Sequence, residues 1–268
     1  MAGRTVRAIQ VRSPSVLKSV DPPLSSAQGE TIQTIRRRGK LLLFGLSGAL
    51  VLIVHLKRDG RLTITPARQR ANRDVAVALT LDGGEDLRLV ERGPQKRAGL
   101  WLRRAGEVEA TEPAAGLGLE PLSEEFTPQA FSRMLDLAGM QLKRFLGTQR
   151  YLAGVGNAYG DEILWEARLS PFTASAALDG GERSRLYGAI RGVLTRAVRE
   201  HRAHFGDDIP MREPPALLRV HRKAAEPCPR CGTPVAAVYY SERETYYCPT
   251  CQTRGKVYAD RRLSRLLK

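Results

Sequence analysis

Four cysteines carry the most definite chemistry in this 268-residue chain, and all of them fall in its last quarter. Cys228 and Cys231 form one C-x2-C pair and Cys248 and Cys251 a second, with sixteen residues between the pairs. Two such turns facing each other supply four soft sulfur ligands at tetrahedral corners, the donor set of one structural Zn2+. Two disulfides are the competing reading. With no other cysteine and no secretory signal ahead of them, a reducing, cytoplasmic compartment and a metal are expected. Between the pairs, residues 235–240 and 245–247 are β-branched and aromatic runs around Ser-Glu-Arg-Glu, which predicts a hairpin with Arg243 at its tip. The hairpin either staples the C-terminal end, leaving Arg243 a solvated charge, or presents that arginine to a partner.

The charge suggests what such a partner would be. The chain carries a formal net charge of +15, which makes a polyanion the expected ligand. Basic residues occur at 36–40, at Lys96 and Arg97, at Lys143 and Arg144 and over the last fifteen residues, instead of forming one tail. Several basic surfaces converging on a duplex fit this distribution, and an arginine-rich surface with no partner is the plain alternative. The longest apolar run, 49–56, is too short to span a membrane.

The elements that must position these groups change character along the chain. Residues 5–11, 40–46, 49–56, 61–65, 75–81 and 86–90 are β-rich runs separated by turn signals, and predict a sandwich or barrel up to about residue 103. A looser stretch rich in Ala, Gly, Glu and Pro at 105–128 marks a boundary. Helices are expected over 129–146 and 182–201, the second with an apolar core stripe at Leu186, Ile190, Val193 and Ala197. Residues 203–217 read as a linker. The fold class is therefore α+β and multidomain, with a β-sandwich domain at 1–115, a helical domain at 116–217 and the zinc-clamped hairpin at 218–268.

Within the helical part lies Leu152-Ala153-Gly154-Val155-Gly156-Asn157-Ala158-Tyr159-Gly160-Asp161-Glu162. A dinucleotide-binding motif would need a preceding strand and a glycine where Tyr159 stands. What remains is a Gly-rich turn at Gly154 and Gly156 between two helices, with Asn157 as N-cap of the second. Backbone N–H groups there are able to hold a phosphate, and the asparagine side chain adds a donor. Asp161 and Glu162, expected in the first turn, would repel that phosphate, so at least one should point inward. An ordinary helix-helix turn is the alternative.

Together these segments resemble one family. GVGNAYGDEILWEARLSP is similar to the helix-two-turn-helix element of the formamidopyrimidine-DNA glycosylase and endonuclease VIII family, and CPRC with CPTC to its zinc finger. IRRRGKLLL, LGLEPLSEEFT and LKRFLGTQRYLAGVGN resemble further family segments, so the likeness runs from about Gly3 to the end. The resemblance implies a DNA glycosylase with AP lyase activity that acts in base excision repair on oxidised or ring-opened bases. Its partner would be duplex DNA with a damaged base or abasic site, the target nucleotide being flipped out of the stack. It further implies that Lys143 and Asn157 hold phosphates, that Arg243 clamps the phosphates flanking the lesion, and that Lys40 assists strand cleavage. An RNA-binding zinc ribbon would explain the charge and the cysteines but not GVGN.

The sequence departs from the family in three places. The family attacks the sugar with the amine of an N-terminal proline beside a glutamate. This chain opens Met1-Ala2-Gly3-Arg4-Thr5-Val6, at the start of the first family strand, without either residue. A start further upstream is the expected explanation. A shortened, catalytically silent binder of damaged DNA and take-over by the amine of Lys40 or of Met1 are the alternatives. Where the family often has His-Leu-Gly-Met-Ser-Gly, the chain has His55-Leu56-Lys57-Arg58-Asp59-Gly60, so the stem of Arg58 is expected to fill the gap left by the flipped base. Where Arg-Arg-Phe-Gly is usual stands Lys96-Arg97-Ala98-Gly99, which removes the aromatic wedge. A preference for 8-oxoguanine does not carry over, and a monomer is the expected state.

Overall fold

The computed structural model describes residues 1–93, 95–206, 208–209, 214–240 and 243–258, without the side chains of Pro215, Tyr240 and Arg243. The chain divides into two compact units, Met1–Gly116 and Leu117–Lys268, the second holding both the helices and the zinc hairpin.

The first unit is a sandwich of two four-stranded antiparallel sheets. One has the order β1-β6-β7-β5, formed by β1 Val6–Val11, β5 Gly60–Pro66, β6 Val75–Leu81 and β7 Glu85–Glu91. The other has the order β2-β3-β4-β8, formed by β2 Ile32–Arg38, β3 Leu41–Leu46, β4 Leu50–His55 and β8 Gly99–Arg104. The inward side chains Phe44, Leu52, Val54, Leu100 and Leu102 of one sheet pack with Val6, Val77, Leu79, Leu87 and Leu89 of the other in one core. Each such side chain contributes roughly 1.5–3 kcal/mol when fully buried. Two strands escape the sequence reading. β2 is an edge strand whose middle residues are all exposed, and its Ile-Gln-Thr-Ile-Arg-Arg-Arg lacks the expected alternation. β8 is buried on both faces through Gly99–Leu102 and merges with the basic stretch before it. Gly39, at φ 58°, takes the left-handed conformation that a two-residue hairpin needs, and Lys40 beside it leaves β2 and β3 at an exposed turn.

The second unit is built on α1 Pro128–Ala138, α2 Leu142–Gly147, α3 Asn157–Ala167 and α4 Gly180–Phe205. The single helix expected over 129–146 is two helices: Gly139 at φ 54° caps α1 in the left-handed region, and the chain turns before α2 begins. α4 is longer than expected because Asp179 and Glu182 form a reciprocal capping box at its start. Phe131, Leu135, Phe145, Leu152, Ile163, Leu186, Ile190 and Val193 form the core between these helices. The expected linker at 203–217 lies partly outside the described residues. β9 Ala236–Tyr240 and β10 Arg243–Tyr247 then form the hairpin, and α5 Pro249–Thr253 carries the last cysteine pair. No helix among the described residues is long and apolar enough to cross a membrane.

Candidate nucleic-acid interface

The four cysteine sulfurs lie within 4.8 Å of one another. Cys231 Sγ is 3.4 Å from both Cys248 Sγ and Cys251 Sγ. All four are free thiols, well beyond the ~2.05 Å of a disulfide. A tetrahedral zinc with Zn–S near 2.3 Å needs sulfurs about 3.8 Å apart, so the donor set fits one Zn2+ and excludes two disulfides. The Thr233 hydroxyl and backbone hold the Cys231 thiol down to about 6, whereas burial raises the Cys248 and Cys251 thiols, whose protons a bound metal would displace. Burial raises the Cys228 thiol, but hydrogen bonds from Trp165 and from the backbone of Arg230 and Cys231 outweigh it and leave it lowered.

α3 is the axis to which this cluster is fastened. Trp165 Nε1 donates to Cys228 Sγ at 3.3 Å, while the Arg230 guanidinium lies 4.1 Å over the Trp165 ring and donates to its carbonyl. Buried Gln252 accepts from Cys248 N and donates to Leu169 O just past α3. Glu162, 4 % exposed, accepts from Arg219 N, Val220 N and His221 N at 2.8, 2.9 and 2.9 Å. One carboxylate thus fixes the backbone that enters the hairpin.

The start of α3 departs from the expectation in its cap residue and in the depth of its carboxylates, and meets it in their inward direction. Gly156, not Asn157, is the N-cap, and Asn157 is the first helical residue. Asn157 therefore does not cap its own helix: its Nδ2 reaches 2.9 Å to Glu244 O in β10. Asp161 and Glu162 lie one turn further in than expected, and both point inward, at 0 % and 4 % exposure. Carboxylate repulsion is thus removed from the helix start, where the first N–H groups lack intrahelical acceptors. Gly154 N is already engaged, donating to Gln149 Oε1 at 2.9 Å, so of the two turn glycines only Gly156 stands at the helix start. Lys143, which the resemblance assigns to a phosphate, is engaged within the protein. Its side chain is 14 % exposed and its ammonium donates to Asn157 O and Asp161 Oδ1, each at 2.6 Å.

Arg243 is not at the hairpin tip. It opens β10, its backbone paired with Tyr240, because β10 begins two residues earlier than its β-forming run at 245–247 suggests, while β9 ends at Tyr240 as expected. Its side chain lies outside what is described. The next residue, Glu244, is the one that accepts from Asn157, so the backbone of the assigned arginine adjoins the assigned asparagine's partner. Tyr246 OH donates to Glu244 Oε2 at 2.7 Å, burial and that carboxylate pushing the phenol up so that it stays a donor.

In the first unit the assigned residues lie on two turns and a loop. Lys40 sits beside His55, since Leu41 pairs with His55 across β3 and β4. Burial first, then the charges of Lys57 and Lys40, lower His55 to about 4. Its Nδ1 accepts from Lys57 N at 2.8 Å, which leaves the hydrogen of the neutral ring on Nε2. Sequence reasoning gave this histidine no part because it closes an apolar strand; the signal was its match to the histidine that opens the family's His-Leu-Gly-Met-Ser-Gly stretch. Arg58 is exposed in the following turn. Lys96 turns back onto the carbonyls of Glu91 and Gly93, while exposed Arg97 donates to Gln95. Glu91, 1 % exposed, accepts from Arg97 N and Ala98 N at 2.9 and 3.0 Å. Ala98 is fully buried in the sandwich core.

Three family models match the chain: the formamidopyrimidine-DNA glycosylase N-terminal domain over residues 1–97, its H2TH domain over 117–206, and a zinc finger found in FPG and IleRS over 225–254. The formamidopyrimidine-DNA glycosylase of Symbiobacterium thermophilum is 36 % identical, over 94 % of this chain and 84 % of that protein. That of Thermus thermophilus is also 36 % identical, over 94 % and 92 %. The crystal structure of the Thermus thermophilus MutM (Fpg) protein superposes with a TM-score of 0.80 at 35 % identity, covering 94 % of this chain and 92 % of that one. The Lactococcus lactis enzyme bound non-covalently to AP-site DNA superposes at 0.84 with 25 % identity, covering 94 % of each chain. With a sulfur site that fits one zinc, a helix start cleared of carboxylates and these relatives across nearly its whole length, the chain belongs to the formamidopyrimidine-DNA glycosylase family.

Proposed function

We propose that the protein is a base-excision-repair DNA glycosylase with AP lyase activity that grips duplex DNA at an oxidised or ring-opened base or at the abasic site left behind. The observation that carries this reading is the pairing of Asn157 Nδ2 with Glu244 O, which sets the exposed start of α3 next to the strand opened by Arg243. Solved Lactococcus lactis relatives bound to abasic-site DNA and to Fapy-dG DNA support the substrate class. In this reading the N–H groups at Gly156 and Asn157 receive a phosphate at the positive end of α3. Arg243 stabilises the leaving phosphate as a fixed charge, because a guanidinium rarely gives up its proton. Lys40 assists strand cleavage, and the neutral His55 Nε2–H adds a donor beside it. Lys143 acts through Asp161 and Asn157 instead of touching phosphate. Arg58 and Arg97 contact the damaged strand or its complement, and the zinc holds the hairpin. Three functional segments, 1–115, 116–217 and 218–268, divide these tasks. The protein works as a monomer in the bacterial cytoplasm at the nucleoid, in keeping with its +15 charge and its bacterial relatives.

Titration of an abasic-site duplex at several salt concentrations tests the reading. Affinity should fall with a log-log slope of about −0.9 per phosphate neutralised, and Arg243→Gln should reduce that slope by about one. Asn157→Ala should weaken binding with the slope kept. An affinity independent of salt sinks the proposal. Borohydride trapping in the same samples reads the chemistry separately: a covalent adduct assigns the lyase step to an amine of this chain, and its absence assigns the chain the binding.

A further inference from the structure

We infer that Asp161 and His221 are positioning residues: together with Lys143 they form a buried strut that holds Asn157 and the strand opened by Arg243 in one fixed arrangement. The inference rests on the DNA-binding reading above and deepens it. Asp161 is 0 % exposed, and each of its carboxylate oxygens takes a different partner. Oδ1 accepts from Lys143 Nζ of α2 at 2.6 Å, and Oδ2 faces His221 Nδ1, from the segment entering the zinc hairpin, at 2.7 Å. A carboxylate only accepts, so the His221 hydrogen lies on Nδ1.

From these two partners the contacts close into a ring. Lys143 Nζ also donates to Asn157 O, and Asn157 Nδ2 donates to Glu244 O. The Glu244 carboxylate accepts from Tyr246 OH, and the Tyr246 ring stands edge-on to the His221 imidazole at 5.1 Å. Side chains from α2, α3, β10 and the 219–221 segment thereby fix each other, and the backbone of Asn157 is held from below by an ammonium and from the side by a strand. A buried carboxylate with only one partner would be poorly satisfied, so removing either partner should loosen the whole ring. None of the three strut residues needs to touch DNA for this. Their effect would reach it through Asn157 and through the backbone of Arg243.

His221→Phe keeps the edge-on contact with Tyr246 and removes the donor, while His221→Asn returns a donor at the reach of Nδ1. In the full zinc-loaded chain, amide hydrogen exchange should speed up together at residues 157–161 and 243–247 in the Phe variant, and α4 should be unchanged. Affinity for an abasic-site duplex should fall about tenfold, with most of it restored in the Asn variant. Combining His221→Phe with Asn157→Ala should cost less than the two changes added, since one acts through the other. Unchanged exchange in His221→Phe overturns the strut whether or not DNA binds. A parent chain that binds DNA while His221→Phe stays within about twofold of it, or additive losses with Asn157→Ala, overturns the positioning role. A parent chain that fails to bind the duplex refutes the DNA-binding reading instead, and the strut is then decided by exchange alone.

Discussion

Replacing Glu162 by Gln should loosen the entry to the zinc hairpin, and the size of the effect follows from geometry. Oε1 accepts from Val220 N and His221 N, and Oε2 from Arg219 N, over 2.8–2.9 Å. Glutamine keeps one oxygen and turns an NH2 toward the remaining N–H, so at least one charge-assisted bond is lost and a donor faces a donor. A hydrogen bond to a charged group contributes about 1.5–3 kcal/mol, and leaving a buried donor unpaired adds to the loss, so the expected cost is about 2–4 kcal/mol. For a unit of this size each kcal/mol lowers Tm by about 2–4 °C, which gives a fall of about 4–16 °C in the transition of the helical unit. Calorimetry of the zinc-loaded protein measures it, with the sandwich transition as internal reference. A fall below about 2 °C would show that water or backbone relaxation replaces the carboxylate, and would refute the assignment of Glu162 as the anchor of 219–221.

Three further outcomes are expected. Cys248→Ser should lose the zinc and unfold the hairpin, because metal binding and folding are coupled at such a site; a retained one-to-one zinc content rejects that ligand. Trp165→Phe removes the Nε1 donor to Cys228 while keeping a ring beneath Arg230. Zinc affinity measured by chelator competition should drop about 10–100-fold with the helices intact, the usual effect of deleting an outer-shell partner, and an unchanged affinity argues against the bond. For His55, the folded value near 4 lies below the ordinary histidine value of 6.5. The unfolded chain therefore binds the proton first, so the stability of the sandwich unit should decline as pH falls from about 6.5 to about 4. His55→Gln should flatten that decline in denaturant titrations, and an equal slope in both proteins contradicts the burial assigned to the ring.

The zinc site could be read directly because its ligands come in two local pairs, and a metal imposes spacing on the sequence itself. Most strands were legible because β-forming runs stand between turn signals: β3, β4 and β6 are nearly continuous apolar stretches, and β5 adds a clear alternation. Local reading failed wherever a distant residue decides the outcome. That at least one of Asp161 and Glu162 should turn inward followed from charge alone, but the partners they meet, His221 and the 219–221 backbone, lie some sixty positions away and bear no mark in the sequence. The resemblance assigned Lys143 to a phosphate, and nothing local in the sequence signals that its ammonium also meets Asp161. Gly139 ended α1 at a point where apolar periodicity continued, since Leu142 and Phe145 serve the same core from a new direction. Arg243 moved off the tip by one ladder position, a difference set by backbone pairing and not by the side chains that signal it.

The anchoring of the loop before β8 has a consequence for how this protein can change. Glu91 closes the loop at its base through Arg97 N and Ala98 N, and Ala98 is sealed into the sandwich. Arg92, Gln95 and Arg97 are exposed and outside the core, so replacing them alters what the loop offers to a ligand while leaving the two sheets untouched, whereas Gly93, at φ 92°, is held to glycine by its backbone. In the turn at 57–59, Arg58 and Asp59 are exposed in the same way, while Lys57 is constrained by its left-handed backbone at φ 52°. New recognition could therefore be acquired by substitution at a handful of surface positions, one at a time, with the scaffold bearing none of the cost until Glu91 itself is altered.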